Sequence, residues 1–218
     1  MPGADEGGSC DTLLKVAYKT IIFDLGRVIV PFEFDRGFKA MSAISRCTPE
    51  EVQSRIASTE LMVPFETGEV APHEFARRIC DALGVDIEYD RFCGIWSSIF
   101  LPHTLIPESM VEGLKKRYRL LLLSNTNAIH FEMIRENYGL LRHFDHFIVS
   151  HEVGALKPSP KIYQAALQKA ECLPGECFFT DDVPAFVEGA REAGIEAVQF
   201  HSATQLEEEM RSRGIDWE

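Results

Sequence analysis

The sequence predicts an α/β fold in which a doubly wound, mostly parallel sheet carries an inserted all-helical domain. Short, nearly unbroken apolar runs are typical of strands buried on both faces of such a sheet. Three such runs end in polar residues: Thr20–Phe23 before Asp24, Leu120–Leu123 before Ser124 and Asn125, and Cys177–Thr180 before Asp181 and Asp182. Residues 34–102 show only helical patterns, which predicts that helices are inserted after the first strand.

Two helix starts are recognisable within this helical region. Thr48 is a capping residue, and it is followed by Pro49 and two glutamates in the first turn. Ala71 and Pro72 begin a second, amphipathic helix, and residues 90–100 place large apolar side chains at helical spacing. We therefore predict a leader over residues 1–15, an α/β core formed by 16–33 and 103–218, and a helical cap over 34–102.

From Pro107 onward, helical and strand patterns alternate, which is typical of right-handed βαβ units. The predicted helices span 108–118, 128–138, 160–170 and 184–193, and a last helix begins at Ser202. The predicted strands span 119–124, 146–150, 177–181 and 196–200. With the first strand they complete a Rossmann-like sheet.

Composition and charge narrow the possible partners. The chain has 218 residues and a net charge of -12, which argues against nonspecific binding to nucleic acid or to an anionic membrane. No apolar stretch approaches the roughly 20 residues that span a bilayer. The six cysteines form no CxxC pair, so we predict no zinc site and expect a reduced, cytoplasmic protein. The sequence does not determine the oligomeric state, and a monomer is our working expectation.

The polar residues after the strands predict a site, because ligands bind outside the carboxyl ends of parallel strands. Asp24 at such an end can attack phosphorus, although an aspartate there can also simply form a turn. Asp181 and Asp182 repel each other unless a cation lies between them and a third acid. Asp24, the Gly26 carbonyl and Asp182 would offer Mg²⁺ hard oxygen ligands. The alternative is a solvated acidic loop or a helix start.

Further candidates lie in loops that can reach the same edge. Lys157 follows a predicted strand and precedes a helix, so its ammonium can neutralise phosphate oxygens and crowded carboxylates. A lone lysine is otherwise a solvated charge. Ser124 and Asn125 can donate hydrogen bonds to phosphate or cap the helix that follows.

Together and in this order, these segments resemble a known group of enzymes. FDLGRVIV, LLLSNTN, GALKPSPKIY and FFTDDVPAFVEGAREAG are similar to the four motifs of the haloacid-dehalogenase-like hydrolase superfamily, and the helical region resembles its C1-type cap. The resemblance covers nearly the whole chain after the leader. The Asp-Leu-Gly opening and FETGEVAPHEFARRI look most like the branch that contains bacterial α-D-glucose-1-phosphate phosphatases.

The resemblance implies a Mg²⁺-dependent phosphatase that acts on a small phosphorylated metabolite, such as glucose 1-phosphate, through an aspartyl-phosphate. The resemblance implies that Asp24 is the nucleophile and that Mg²⁺ is bound by Asp24, the Gly26 carbonyl and Asp182. Asp181 would be an acid next to these ligands that does not bind the metal itself. Ser124 and Asn125 would bind phosphate, and Lys157 would pair with both phosphate and Asp24. Two alternatives stay open: a metal-independent haloacid dehalogenase, and a catalytically weak protein that binds a phosphometabolite or a protein partner.

The chain departs from the superfamily pattern at three positions. Gly26 stands where most of these phosphatases have an aspartate that protonates the leaving group. Arg27 replaces the usual Gly or Asn, and Phe186 replaces an Asp or Asn near the metal, so weaker Mg²⁺ binding is expected. Candidate substrate contacts in the cap are Glu66, Trp96 and His103, although Trp96 also has the spacing of a core residue.

Overall fold

A computed structural model describes residues 17–218, and the predicted leader and Cys10 lie outside this range. Its centre is one five-stranded parallel sheet with the strand order β3-β2-β1-β4-β5. The strands are β1 (Thr20–Phe23), β2 (Arg119–Ser124), β3 (His146–Val149), β4 (Cys177–Asp181) and β5 (Glu196–Gln199). The predicted fold class is thereby confirmed.

Helices cover both faces of the sheet and fill the region between β1 and β2. They are α1 (Phe34–Ser42), α2 (Pro49–Ser58), α3 (Met62–Glu66), α4 (Pro72–Leu83), α5 (Tyr89–Trp96), α6 (Glu108–Lys115), α7 (Ala128–Asn137), α8 (Ser150–Val153), α9 (Pro160–Ala170), α10 (Pro184–Glu192) and α11 (Ala203–Ser212). We call residues 34–99, which contain α1 to α5, the helical insert. No helix of residues 17–218 has the length and apolar character that crossing a membrane requires.

The apolar runs form strands because each of their faces packs against a separate core. Ile21 and Phe23 of β1 lie in the core that also contains residues of α6 and α11, whereas Ile22 lies in the core formed with α9 and α10. Leu121 and Leu122 of β2 divide between the two cores in the same way. Since both faces are buried, the strands need no polar alternation, and this explains their continuous hydrophobicity.

The chain order reverses between β1 and β4, and this reversal positions the polar residues. Phe23 pairs with Leu122 of β2 on one side and with Thr180 of β4 on the other. The Asp24 amide continues the ladder and donates to the Thr180 carbonyl at 3.0 Å. The residues after β1 and β4 therefore meet at the point where the strand order reverses, the usual position of a ligand site in an open α/β sheet.

The helical insert has its own apolar core. The chain enters and leaves the insert through two neighbouring segments that are hydrogen-bonded to each other. Phe75, Ile79 and Phe92 are buried within it. The Glu33 amide donates to the Ile99 carbonyl at 2.9 Å, and the Leu101 amide donates to the Pro31 carbonyl at 3.0 Å. These paired connections hold the insert above the carboxyl end of β1.

Several predicted boundaries differ from the structure. The helix expected over 108–118 ends at Lys115, and the elements expected over 128–138, 184–193 and 196–200 each end one residue earlier. The helix expected over 90–100 ends at Trp96, and Ser97–Ile99 continue as a 3₁₀ turn. Strand β3 ends at Val149, because the Ser150 hydroxyl donates to the Thr126 carbonyl at 2.9 Å and accepts from the Thr126 amide at 2.9 Å. This exchange fastens Ser150, as the first residue of α8, to the loop after β2.

Candidate active site

A buried lysine connects the aspartates that follow β1 and end β4. The Lys157 ammonium donates to Asp24 Oδ1 at 2.6 Å, to Asp181 Oδ2 at 2.6 Å and to the Leu123 carbonyl at 3.0 Å. Lys157 is 3% exposed, Asp24 6% and Asp181 0%. The structure thus brings together residues far apart in the chain, as the sequence predicted.

The charges of Lys157 and the three aspartates around it, Asp24, Asp181 and Asp182, do not balance. Burial raises the pKa of Asp24, and repulsion from Asp181 adds to the rise while Lys157 opposes it. Burial alone would lower the pKa of Lys157, but its carboxylate partners raise it, so the ammonium stays charged. Burial and the charge of Asp181 also raise the pKa of Asp182, although Arg27 opposes this rise. Negative charge is therefore in excess, and a further cation would relieve it.

The acid cluster has the chemistry of a divalent cation site. One carboxylate oxygen from each of Asp24, Asp181 and Asp182 lies within 4.8 Å of the others. Both carboxylate oxygens of Asp181 already accept hydrogen bonds. Oδ1 accepts from the Val183 amide at 2.9 Å, and Oδ2 accepts from Lys157. The backbone hydrogen bonds of the loop after β1 use the Leu25 and Val30 carbonyls and not that of Gly26. Hard oxygen donors of this kind suit Mg²⁺.

Asn125 has a structural task that the sequence did not predict. Its Oδ1 accepts from the Lys157 amide at 2.7 Å, and its Nδ2 donates to the Lys157 carbonyl at 3.1 Å. These two bonds fix the backbone of Lys157 and so aim its ammonium at Asp24. Ser124 is buried at the end of β2 in the same loop.

Phe186 is in contact with the lysine of the cluster. The Lys157 ammonium lies 5.1 Å from the centre of the Phe186 ring and 5.7 Å from that of Phe179. The Phe186 carbonyl accepts from the Tyr163 hydroxyl at 2.7 Å, which positions the start of α10. An aromatic face thus stabilises the ammonium where the superfamily pattern has a polar side chain.

The space beside Gly26 is filled by Phe32. A Cβ atom at residue 26 would lie 2.9 Å from Cε1 of the Phe32 ring. The Arg27 guanidinium covers the same ring, 4.9 Å from its centre. Arg27 has a φ of 57°, the left-handed conformation that glycine and asparagine adopt most easily. This conformation explains why the usual residue there is Gly or Asn.

A cavity of about 380 Å³ lies between this site and the helical insert. Leu25, Gly26 and Asn125 line it on the core side. Two of the predicted cap contacts, Glu66 and Trp96, also line it. The third, His103, is exposed and is not among the lining residues, so it has no contact with this cavity.

His130 is a site residue that the sequence analysis missed. Asn127 Oδ1 accepts from the His130 amide at 3.0 Å, so the Asn127 side chain donates from Nδ2 to His130 Nδ1, 3.1 Å away. His130 Nε2 therefore holds the proton and donates to the Trp96 carbonyl at 3.2 Å. The ring joins α7 to the end of α5 and lines the cavity. Its partner is 34 residues away, so no local pattern could reveal this contact.

The buried His130 predicts a loss of stability in mild acid. Burial lowers the pKa of His130 to about 4, against about 6.5 in the unfolded chain. The unfolded state therefore binds more protons, and stability falls as the pH falls through this window, by about 3 kcal/mol for this group. Urea unfolding of His130→Gln should show a shallower loss between these pH values than the wild type.

The exposed His103 provides the control for this experiment. His103→Gln replaces an exposed histidine that lies outside the cavity, and it is the matched variant for the loss of one histidine side chain. Subtracting the pH profile of His130→Gln from that of the wild type removes the contributions of the groups that the substitution leaves unchanged. Parallel profiles for His130→Gln and the wild type would contradict the assignment.

Comparisons with known proteins agree with this fold and identify the family. Residues 18–194 match the haloacid dehalogenase-like hydrolase family, and the chain belongs to this family. D-ribitol-5-phosphate phosphatase of Bacteroides thetaiotaomicron is 26% identical over 198 residues, which cover 88% of this chain and 96% of that protein. The (S)-2-haloacid dehalogenase of Pseudomonas sp. strain YL is 24% identical over 161 residues, 72% of this chain and 68% of that enzyme.

Solved structures show the same architecture. A HAD family enzyme of Bacteroides thetaiotaomicron, crystallised in complex with magnesium and inorganic phosphate, superposes with a TM-score of 0.76 at 25% identity. The superposition covers 85% of this chain and 96% of that enzyme.

Proposed function

We propose that this protein is a Mg²⁺-dependent phosphatase that hydrolyses a small phosphorylated metabolite through an aspartyl-phosphate on Asp24. The main support is the buried Asp24 carboxylate, which Lys157 holds at 2.6 Å within the acid cluster. The family and the phosphatase relative favour the same reaction. The dehalogenase alternative uses no metal, and the excess of buried negative charge argues against it.

Asp24, the Gly26 carbonyl and Asp182 would hold Mg²⁺. Asp181 is better suited to a supporting role, because Lys157 and the Val183 amide occupy its oxygens. Asp182 is half-buried and directly follows β4. Bound Mg²⁺ would neutralise phosphate oxygens and the crowded carboxylates.

The residues of the site support a displacement in two steps. In the first, an Asp24 oxygen bonds to phosphorus, the bond from phosphorus to the ester oxygen breaks, and the alcohol leaves after taking a proton from solvent. In the second, water bonds to phosphorus, the bond to Asp24 breaks, and inorganic phosphate leaves with one proton of the water while the other proton returns to solvent. Ser124 and the remaining amide hydrogen of Asn125 would donate to the phosphate oxygens. The Lys157 ammonium already donates its three hydrogens to Asp24, Asp181 and the Leu123 carbonyl, so it would bind the phosphate oxygens through its charge.

The helical region 34–102 would act as a cap, with 16–33 and 103–218 as the catalytic core. Apart from Ile129 of α7, the apolar core of the insert is formed by its own residues, and its chain joins the rest through the paired connections at Glu33 and Leu101. A domain built in this way can exclude water from the reaction and select the substrate. His130 would then fix the position of the cap relative to α7.

Gly26 predicts a preference among leaving groups. Without a carboxyl group at this position, the departing oxygen receives no proton from residue 26, and such a proton donor typically contributes about 10²–10⁴-fold for poor leaving groups. Acetyl phosphate and aryl phosphates should therefore have a far higher kcat than glycerol phosphate. A rate for glycerol phosphate equal to that for acetyl phosphate would refute this interpretation.

Phosphate release from a panel of phosphate esters, with Mg²⁺ or with EDTA, tests the proposed function. We expect release that requires Mg²⁺ and that leaves a phosphorylated Asp24 after rapid acid quenching. Chloride release from 2-chloropropionate in EDTA would instead identify a dehalogenase. Tight phosphate binding without turnover of any ester would favour the catalytically weak binding protein.

A further inference from the structure

The cavity beside the site has mostly aromatic and aliphatic walls. The lining side chains that define this character are Phe32, Phe34, Phe38, Met41, Trp96 and Phe100. Phe32 lies edge-on to Phe34 at 5.0 Å and to Phe100 at 5.9 Å. Since the cavity begins at Leu25 and Gly26, directly after Asp24, a phosphate ester held at Asp24 would place its leaving group there.

Most polar side chains on the core side of this cavity are already bonded to the protein. The Asn125 amide holds the backbone of Lys157, and the Asn127 amide holds His130. The nitrogens of His130 are engaged with Asn127 and with the Trp96 carbonyl. These groups have little capacity left to receive substrate hydroxyls.

On the insert side, Glu66 is the only acid among the described lining residues. It lies at the end of α3, and burial raises the pKa of its carboxyl group. The other polar side chain on this side, Gln53, is exposed. A bound molecule would therefore meet two polar side chains at the insert end, Glu66 and Gln53, and largely apolar surface along the rest of its length.

We infer that the substrate is a phosphate monoester with a mainly aromatic or apolar leaving group, whose polar substituents lie at Glu66 and Gln53. This inference rests on the proposed phosphatase function and adds the class of substrate. A polyol phosphate presents a hydroxyl on each carbon, and each hydroxyl buried without a partner loses about tenfold in affinity. A volume of about 380 Å³ has room for a substituted aromatic ring.

The direct test compares 2-phenylethyl phosphate with D-ribitol 5-phosphate. Both are esters of primary alcohols, so the lack of a proton donor at Gly26 handicaps them alike. We expect kcat/KM for the phenylethyl ester to be at least about tenfold higher. An equal or higher value for the ribitol ester would overturn the inference.

Acetyl phosphate separates this inference from the proposed function, because its leaving group is too small to fill the cavity. Mg²⁺-dependent release from acetyl phosphate without a preference for the apolar ester would leave the phosphatase intact and overturn the substrate class. If no ester is hydrolysed, titration calorimetry should compare the affinities of the protein for 2-phenylethylphosphonate and for 3,4-dihydroxybutylphosphonate. Tighter binding of the apolar phosphonate would support the inference, and equal binding would overturn it.

Phe34→Ala tests the assigned wall of the cavity. Phe34 is 53% exposed at the start of α1, so its truncation should leave the fold intact. The ratio of kcat/KM for the two esters should fall about three- to tenfold. Leu173→Ala, which removes an apolar side chain that is 69% exposed and outside the cavity, should leave this ratio unchanged. An unchanged ratio in Phe34→Ala would contradict the assignment.

Discussion

Asp24→Asn should lower the rate of phosphate release by at least about 10⁴-fold, because an amide cannot form the aspartyl-phosphate. The variant should nevertheless fold. Asparagine can still accept a hydrogen bond from Lys157, and it removes one negative charge from a cluster that has too many. We therefore expect the temperature of unfolding without Mg²⁺ to be unchanged or higher than that of the wild type.

Opposite effects on activity and stability distinguish a nucleophile from a structural residue. Phosphate release with Mg²⁺ and thermal unfolding without it should be measured on the same preparation. Asp86→Asn, an exposed aspartate in the helical insert, is the matched control and should change neither quantity. A loss of activity together with a lower unfolding temperature in Asp24→Asn would make Asp24 a structural partner of Lys157.

The sheet could be predicted from the sequence because its strands are buried on both faces. Burial on both faces leaves a continuous apolar run, and the first polar residue then marks the carboxyl end of the strand. Asp24 follows this rule, and the parallel pairing of Phe23 with Thr180 brings Asp24 and Asp181 to the same edge of the sheet. The boundary at Ser150 was missed because a hydrogen bond to Thr126, rather than a change in hydrophobicity, ends the strand.

The residues that hold the site in shape depend on contacts between distant parts of the chain. Asn125 is predicted as a phosphate ligand, and its further role, the bonding of its amide to the backbone 32 residues later, could not be predicted. Nothing local to Phe32 indicates that its ring fills the space next to Gly26. His130 resembles any histidine on a helix until its bond to Trp96 is known. Motifs predicted which polar groups meet, but the packing around them required the structure.

Lys157→Met should lower the free energy of unfolding by about 3–5 kcal/mol at neutral pH, because it leaves buried carboxylates without their cation. The ammonium is bonded to both Asp24 and Asp181, and neither carboxylate has more than 6% exposure. The loss should shrink in acid, where protonation of the carboxyl groups removes the repulsion. Urea unfolding without Mg²⁺ at several pH values would measure this dependence.

Lys161→Met separates the effect of the cluster from that of losing any lysine in this part of the chain. Lys161 lies at the start of α9 and donates to the Gly154 carbonyl at 3.2 Å in an exposed position, so its replacement should cost no more than about 0.5 kcal/mol. Adding Asp181→Asn to Lys157→Met should restore part of the lost stability, since one unpaired charge is removed. If the double variant is less stable than Lys157→Met alone, the hydrogen bond from the Val183 amide matters more than the charge. The excess of negative charge would then not govern the stability of this site.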